Sequence, residues 1–221
     1  MNIFDLCVNG ALFLCSGIAF VYGVVKFFKK NVAMFNQLIT CGLGCMMLGR
    51  LFNIVALLTN NSIPDGFSVG KLGLIGGFMF LFSASFGQMD GLVDGGEREF
   101  RKYRLISILA SVVIALLYLP VLFSTAGLEA KIVLAVIFLF LAQSAYFNLK
   151  HLIIPDVEMG FIGAIKGYNL AALILTVLSA AEVIVGNYNE RIISAVFTAL
   201  LCLSYLVVVP VLEKGAKQWT I

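Results

Sequence analysis

Residues 105–124, LISILASVVIALLYLPVLFS, decide the fold, because twenty consecutive positions contain no Asp, Glu, Lys, Arg or His. As a helix rising about 1.5 Å per residue, this run covers the ~30 Å of hydrocarbon in a bilayer. Directly before it stand Arg98, Arg101, Lys102 and Arg104. Such a cluster is held on the cytoplasmic side of a membrane, so the same segment gives both a span and its direction.

Six more apolar runs flank it, at residues 10–26, 34–58, 72–93, 132–149, 160–185 and 192–212. In lipid every backbone N–H and C=O must be bonded within the protein, which leaves helices or a closed barrel. Barrel strands alternate in polarity over short stretches, whereas these runs are long and uniformly apolar. The expectation is an all-α, polytopic bundle of seven transmembrane helices forming one domain over residues 1–221, with no soluble domain. The composition agrees: 61% of residues are hydrophobic and 12% charged, against about a quarter charged in soluble domains. The leader Met1-Asn2-Ile3-Phe4-Asp5 lacks the basic region of a cleavable signal, and no lipidation motif is present.

Orientation follows from the loops. Ten cations (Lys26, Lys29, Lys30, Arg98, Arg101, Lys102, Arg104, Lys150, Lys214, Lys217) flank one face, and three (Lys71, Lys131, Arg191) flank the other. The bias predicts an external N-terminus and a cytoplasmic C-terminus, in a multi-pass protein of the plasma (cytoplasmic) membrane. The net charge of +3 then reflects topology and contact with anionic lipid headgroups. No nucleic-acid module or aromatic-interleaved basic stripe accompanies it, so the expected partner is the bilayer and not a nucleic acid.

The five cysteines, Cys7, Cys15, Cys41, Cys45 and Cys202, fall mostly in apolar runs and read as small hydrophobes rather than a disulfide framework. Small residues recur every four positions at Cys41, Cys45, Gly49 and Asn53, and again at Ser83, Gly87, Gly91 and Gly95. These stripes predict close approach of the second and third spans. Seven spans in this orientation also suit a three-plus-one-plus-three transporter repeat. One internal match sets Arg50-Leu51-Phe52-Asn53 against Lys166-Gly167-Tyr168-Asn169. The two segments lie at different depths, and the match reads as coincidence.

Ionisable residues inside spans are costly and usually face a cavity or a partner. Arg50 falls ~24 Å along the second span and Glu182 ~33 Å along the sixth, both in the outer half. With Asn53, Tyr118 and Thr198 they form an expected outer ligand-binding layer. An arginine there suits a small anionic or zwitterionic ligand, because its planar fork grips carboxylate or phosphate. An inner polar layer comprises Gln88, Asp90, Gln143, Asn148, Lys166 and Asn169, in which Asp90 and Lys166 are placed to lock the third and sixth spans. Alternatively, Lys166 snorkels to the interface.

Catalytic motifs are sparse. The single histidine, His151, excludes bis-histidine haem and a histidine-rich zinc site, and no Walker loop, nucleophile elbow or zincin motif is present. No cofactor and no metal site is expected. Asp90 and Asp94, four residues apart, offer the one route to a Mg²⁺-dependent lipid-phosphate enzyme. Arg98 follows Asp94 at ion-pair spacing and gives an ordinary helix-end alternative. The expected function is a small-molecule binding protein, sensor or solute carrier, with its polar site between helices. The alternative is a non-catalytic subunit docking to a membrane or cytoplasmic partner, since no extramembrane stretch is large enough for an output domain.

Overall fold

The computed structural model describes residues 3–29, 32–94, 96, 98–124, 126–155, 161–188 and 191–219. Its main helices are α1 (Ile3–Phe27), α2 (Met34–Asn60), α3 (Val69–Ala84), α4 (Arg101–Leu116), α5 (Leu128–Ile153), α6 (Phe161–Tyr188) and α7 (Arg191–Trp219). A π-helical stretch, Ser85–Asp90, and a final turn, Gly91–Val93, prolong α3. A turn at Leu119–Leu122 prolongs α4 past Leu117, with Pro120 near its start. Counting these extensions, seven helices among the described residues are long and apolar enough to cross a membrane, which makes this an all-helical bundle of the multi-pass membrane type. Apolar side chains that line no core, such as Leu109, Val113 and Leu203, form the exposed belt that such a bundle turns toward lipid.

Two helix ends depart from the expected spans. α1 begins at Ile3, seven residues before the apolar run at Gly10, and so carries Asp5 and Asn9 inside the helix. α2 ends at Asn61, whose left-handed backbone (φ 58°) stops the helix as asparagine commonly does.

The face where α1 begins is called here the N-face and the face where α7 ends the C-face. Packing runs in a closed ring: α1 on α2, α2 on α3, α3 on α5, α5 on α6, α6 on α7, and α7 back on α1. α4 stands outside it, packed along α5. Its apolar residues are therefore the least buried of any span, with Leu105, Leu109, Val112 and Leu116 exposed. Inside the ring Leu43, Phe78, Leu81, Leu141, Leu175 and Tyr205 are fully buried.

The α2–α3 seam is tight because glycines line it. A β-carbon on Gly73 would sit 2.6 Å from Gly49 Cα, and one on Gly42 would sit 2.9 Å from the Gly77 carbonyl oxygen. On α2 the predicted stripe thus takes part through Cys45 and Gly49. On α3 it does not: Gly87 and Gly91 have nothing within 4 Å, and Gly95 lies outside the described residues. Gly70, Gly73 and Gly77 make the approach instead, because they sit on the part of α3 that lies against α2.

Candidate functional site

Near the N-face, α2, α3, α5 and α6 enclose a cavity of about 480 Å³. Its charged lining is Arg50, Asp65, Lys71 and Glu182, and its floor is apolar, with Met46, Leu134 and Ile137. The 61–68 connection crosses the mouth. Lys71 Nζ donates to the carbonyl oxygens of Asp65 and Gly66, and Glu129 Oε1 accepts from the Phe67 N–H at 2.6 Å. Ser68 caps the first turn of α3 by accepting from Lys71 N–H, which aims the Lys71 stem along the wall.

Arg50 Nη1 donates to Glu182 Oε1 at 3.1 Å, joining α2 to α6. Both side chains are largely buried, at 14% and 15% exposure. Asn9 on α1 supports them: its Oδ1 accepts from Asn53 Nδ2 at 3.1 Å and lies 3.5 Å from Arg50 Nη1. Asn9 Nδ2 is turned back to the Asp5 carbonyl at 2.9 Å, so its amide orientation is set by its own helix. Asn53 also lines the cavity, and its Oδ1 is buried with no hydrogen-bond partner among the described residues. The wall therefore presents two cations and two carboxylates, while the Asn53 oxygen is turned against Gly70 and away from the open space.

Of the expected outer layer, Arg50, Asn53 and Glu182 meet at this cavity, whereas Tyr118 and Thr198 do not line it. The Tyr118 hydroxyl donates to the Lys131 carbonyl at 2.8 Å and pins α4 to α5, at a shallow apolar groove on the outside of the ring. Thr198 is buried in α7, its hydroxyl without a partner among the described residues. Asn9, Asp65 and Lys71 were missed, since all three lie outside the apolar runs or at their polar margins. Only the start of α1 at Ile3 brings Asn9 to the site.

Toward the C-face a second charged cluster forms around Asp90 and Asp94. Lys150 Nζ donates to Asp90 Oδ1 at 2.5 Å and lies 2.7 Å from Asp94 Oδ2. His151 Nε2 lies 3.2 Å from Asp90 Oδ1, and Arg104 Nε donates to Asp94 Oδ2 at 2.7 Å. The expected Asp90–Lys166 lock is thus replaced by Asp90 with Lys150 and His151. Lys166 is half-buried on α6, and among the described residues no carboxylate pairs with it. The expected Asp94–Arg98 helix-end pair is also replaced. The helix stops at Val93 and Asp94 is extended (φ −134°), which turns its carboxylate toward Arg104 and Lys150.

Hydrogen bonds from Arg104, Lys150 and the Gly96 N–H hold the Asp94 carboxyl well below the usual carboxylate range, against the opposing effect of burial. With both aspartates engaged by basic side chains, a Mg²⁺ ion would have to displace Lys150 and Arg104 to reach them. Among the described residues no group of three or more His, Cys, Asp or Glu is placed to hold a metal ion.

The rest of the inner layer is polar, with Asn148 and Asn169 buried and Gln143 partly so. Asn148 Nδ2 donates to the Ser144 carbonyl at 2.8 Å and lies 3.0 Å from its hydroxyl, which pairs with Thr176 at 3.1 Å. Asn148 Oδ1, Gln143 Oε1 and Asn169 Nδ2 have no partner among the described residues. The Gln88 side chain lies outside the described residues. Ser179 and Thr176, buried on α6, continue the face of Glu182 toward Asn169 at spacings of three, three and seven residues. They too were missed, because single hydroxyls in an apolar run look like interhelical glue.

No protein-family model matches the chain, and neither a curated protein nor a solved structure shows significant similarity to it.

Proposed function

We propose that this protein is a multi-pass membrane protein that binds a small zwitterionic or anionic solute in the cavity at the N-face, with that face external. The observation that carries it is the Arg50–Glu182 pair, set in the wall of a cavity of about 480 Å³ that Lys71 and Asp65 also line. A guanidinium so deep in an apolar span carries a large desolvation cost, which one carboxylate and one amide offset only in part. Its remaining donors are available to a ligand carboxylate or phosphate, and Lys71 lies on the same wall. Glu182 and Asp65 supply the opposite pole for an ammonium group. The volume falls in the ~300–1,000 Å³ range of small-molecule sites. The external assignment of the N-face rests on the Lys/Arg bias of the loops.

Thermal melting of detergent-purified protein tests this against a panel of free amino acids, betaines and dicarboxylates. A ligand that stabilises wild type is expected to leave Arg50→Ala unshifted. Equal shifts in the two proteins would remove the site.

A further inference from the structure

The C-face carries two ion-pair clasps that are equivalent by an internal repeat. On α1, Tyr22 and Lys26 meet Glu213 of α7: the Tyr22 hydroxyl donates to Glu213 Oε2 at 2.5 Å and Lys26 Nζ to Oε1 at 3.0 Å. On α5, Lys150 meets Asp90 at the end of the α3 extension. Lys26 lies 5.4 Å from the centre of the Tyr22 ring and Lys150 lies 5.7 Å from that of Tyr146, each four residues earlier in its helix. One shift of 124 residues carries Asp5, Tyr22 and Lys26 onto Glu129, Tyr146 and Lys150, and a shift of 123 carries Asp90 onto Glu213.

The packing repeats with the same correspondence. α1 on α2 and α2 on α3 match α5 on α6 and α6 on α7, while α3 on α5 matches α7 on α1. The ring is thus two halves, α1–α3 and α5–α7, joined at two seams, with α4 as the outside connection. Each clasp staples one seam, and both do so at the C-face. Between the halves, Phe35 of α2 and Tyr168 of α6 pack edge to face at 5.1 Å near the same end, while the cavity opens toward the other end.

We infer that the chain is a solute carrier working by alternating access, and that the Lys26–Glu213 and Lys150–Asp90 clasps together form its C-face gate. Two halves hinged at like seams are the architecture of rocking-bundle transport, in which the central site is exposed to one face at a time. The structure is the state open to the N-face: cavity accessible, both clasps closed, Phe35 and Tyr168 in contact. Opening to the C-face parts both clasps and that ring contact, and exposes the buried hydroxyl of Ser85, which neighbours Tyr168. The inference builds on the proposed ligand cavity and adds transport, which a sensor with the same cavity does not perform.

Cysteine labelling in liposomes tests it, on a background with the five native cysteines replaced. Ala130→Cys reports the N-face cavity and Ser85→Cys the closed side, each probed with a small charged methanethiosulfonate added to one face only. With Lys26→Gln and Lys150→Gln combined, labelling of Ser85→Cys from the C-face is expected to rise by about tenfold, and that of Ala130→Cys to fall. Lys26→Gln alone, at the more exposed clasp, shifts both in the same direction and carries the test should the double variant not fold. The exchanged pair, Lys26→Glu with Glu213→Lys, is expected to label as wild type. Unchanged Ser85→Cys labelling in a folded clasp variant would overturn the gate and with it the carrier. No ligand enters these measurements, so they can fail while the Arg50-dependent melting shift stands, and the reverse.

Discussion

Arg50 on α2 and Glu182 on α6 meet at 3.1 Å across the ring, although neither helix neighbours the other in sequence. At the opposite end the same two helices touch through Phe35 and Tyr168. α2 and α6 are thus held together at two heights, by charge near the N-face and by aromatic packing near the C-face. Removing one partner of the charged pair strands the other in an apolar setting. Glu182→Gln is therefore expected to destabilise the fold by about 3 kcal/mol, as for broken buried pairs. Replacing both, as Arg50→Met with Glu182→Leu, is expected to recover most of that loss. A double-mutant cycle by thermal melting in detergent measures it; a double variant as unstable as the single would show that the pair is not the unit.

The glycine seam gives a sharper steric prediction. Because a β-carbon on Gly73 would meet Gly49 Cα at 2.6 Å, Gly73→Ala forces α2 and α3 apart. Overpacking of this kind costs about 1–3 kcal/mol. Gly87→Ala, with nothing within 4 Å, is expected to be neutral or slightly stabilising. Melting temperatures of the two variants should differ in that order, and equal losses would place the close approach elsewhere.

Much of this fold was legible because hydrocarbon imposes one simple demand: twenty apolar residues, bonded internally. Runs such as 105–124 meet it with no help from tertiary structure. The site was legible only where a charge violated that demand, which is how Arg50, Glu182 and Asp90 stand out. Partners were not legible. Lys150 and His151 look like residues at the water interface, yet they are 3% and 0% exposed, because the α3 extension brings Asp90 and Asp94 over the end of α5. The π-helical stretch Ser85–Asp90 inserts an extra residue into that turn and changes which side chains face α5, an effect no periodicity argument captures. The internal repeat was hidden for a related reason. Its marks are a few side chains at helix ends, not the Arg50 and Lys166 segments that resemble each other in letters.

The orientation assigned from loop charge can be checked at two sites. Lys29 follows α1 at the C-face, and Lys131 sits in the first turns of α5 at the N-face. On the cysteine-free background, Lys131→Cys is expected to react with an impermeant maleimide added to intact cells, and Lys29→Cys only after permeabilisation. The reverse pattern would invert the bundle and place the cavity on the cytoplasmic side.

Acid should weaken the C-face cluster in a way that depends on Asp94. Its carboxylate receives Arg104 Nε at 2.7 Å, Lys150 Nζ at 2.7 Å and the Gly96 N–H at 3.1 Å, and its proton affinity is held below the ordinary value of 3.8. A carboxyl whose pKa is depressed by folding stabilises the native state in full above the unfolded value, and loses that contribution as pH falls toward the folded one. Asp94→Asn, which has no charge to lose, should therefore melt below wild type by a constant margin between about pH 5 and pH 8. Below about pH 4 the margin should shrink, because protonation makes the wild-type residue resemble the variant. Screening by salt would reduce an exposed pair at every pH, but the Asp94 side chain is only 3% exposed, so the margin should survive moderate salt. A margin that stays constant to pH 3, or one that widens on acidification, would mean that Asp94 does not hold its charge against Arg104 and Lys150.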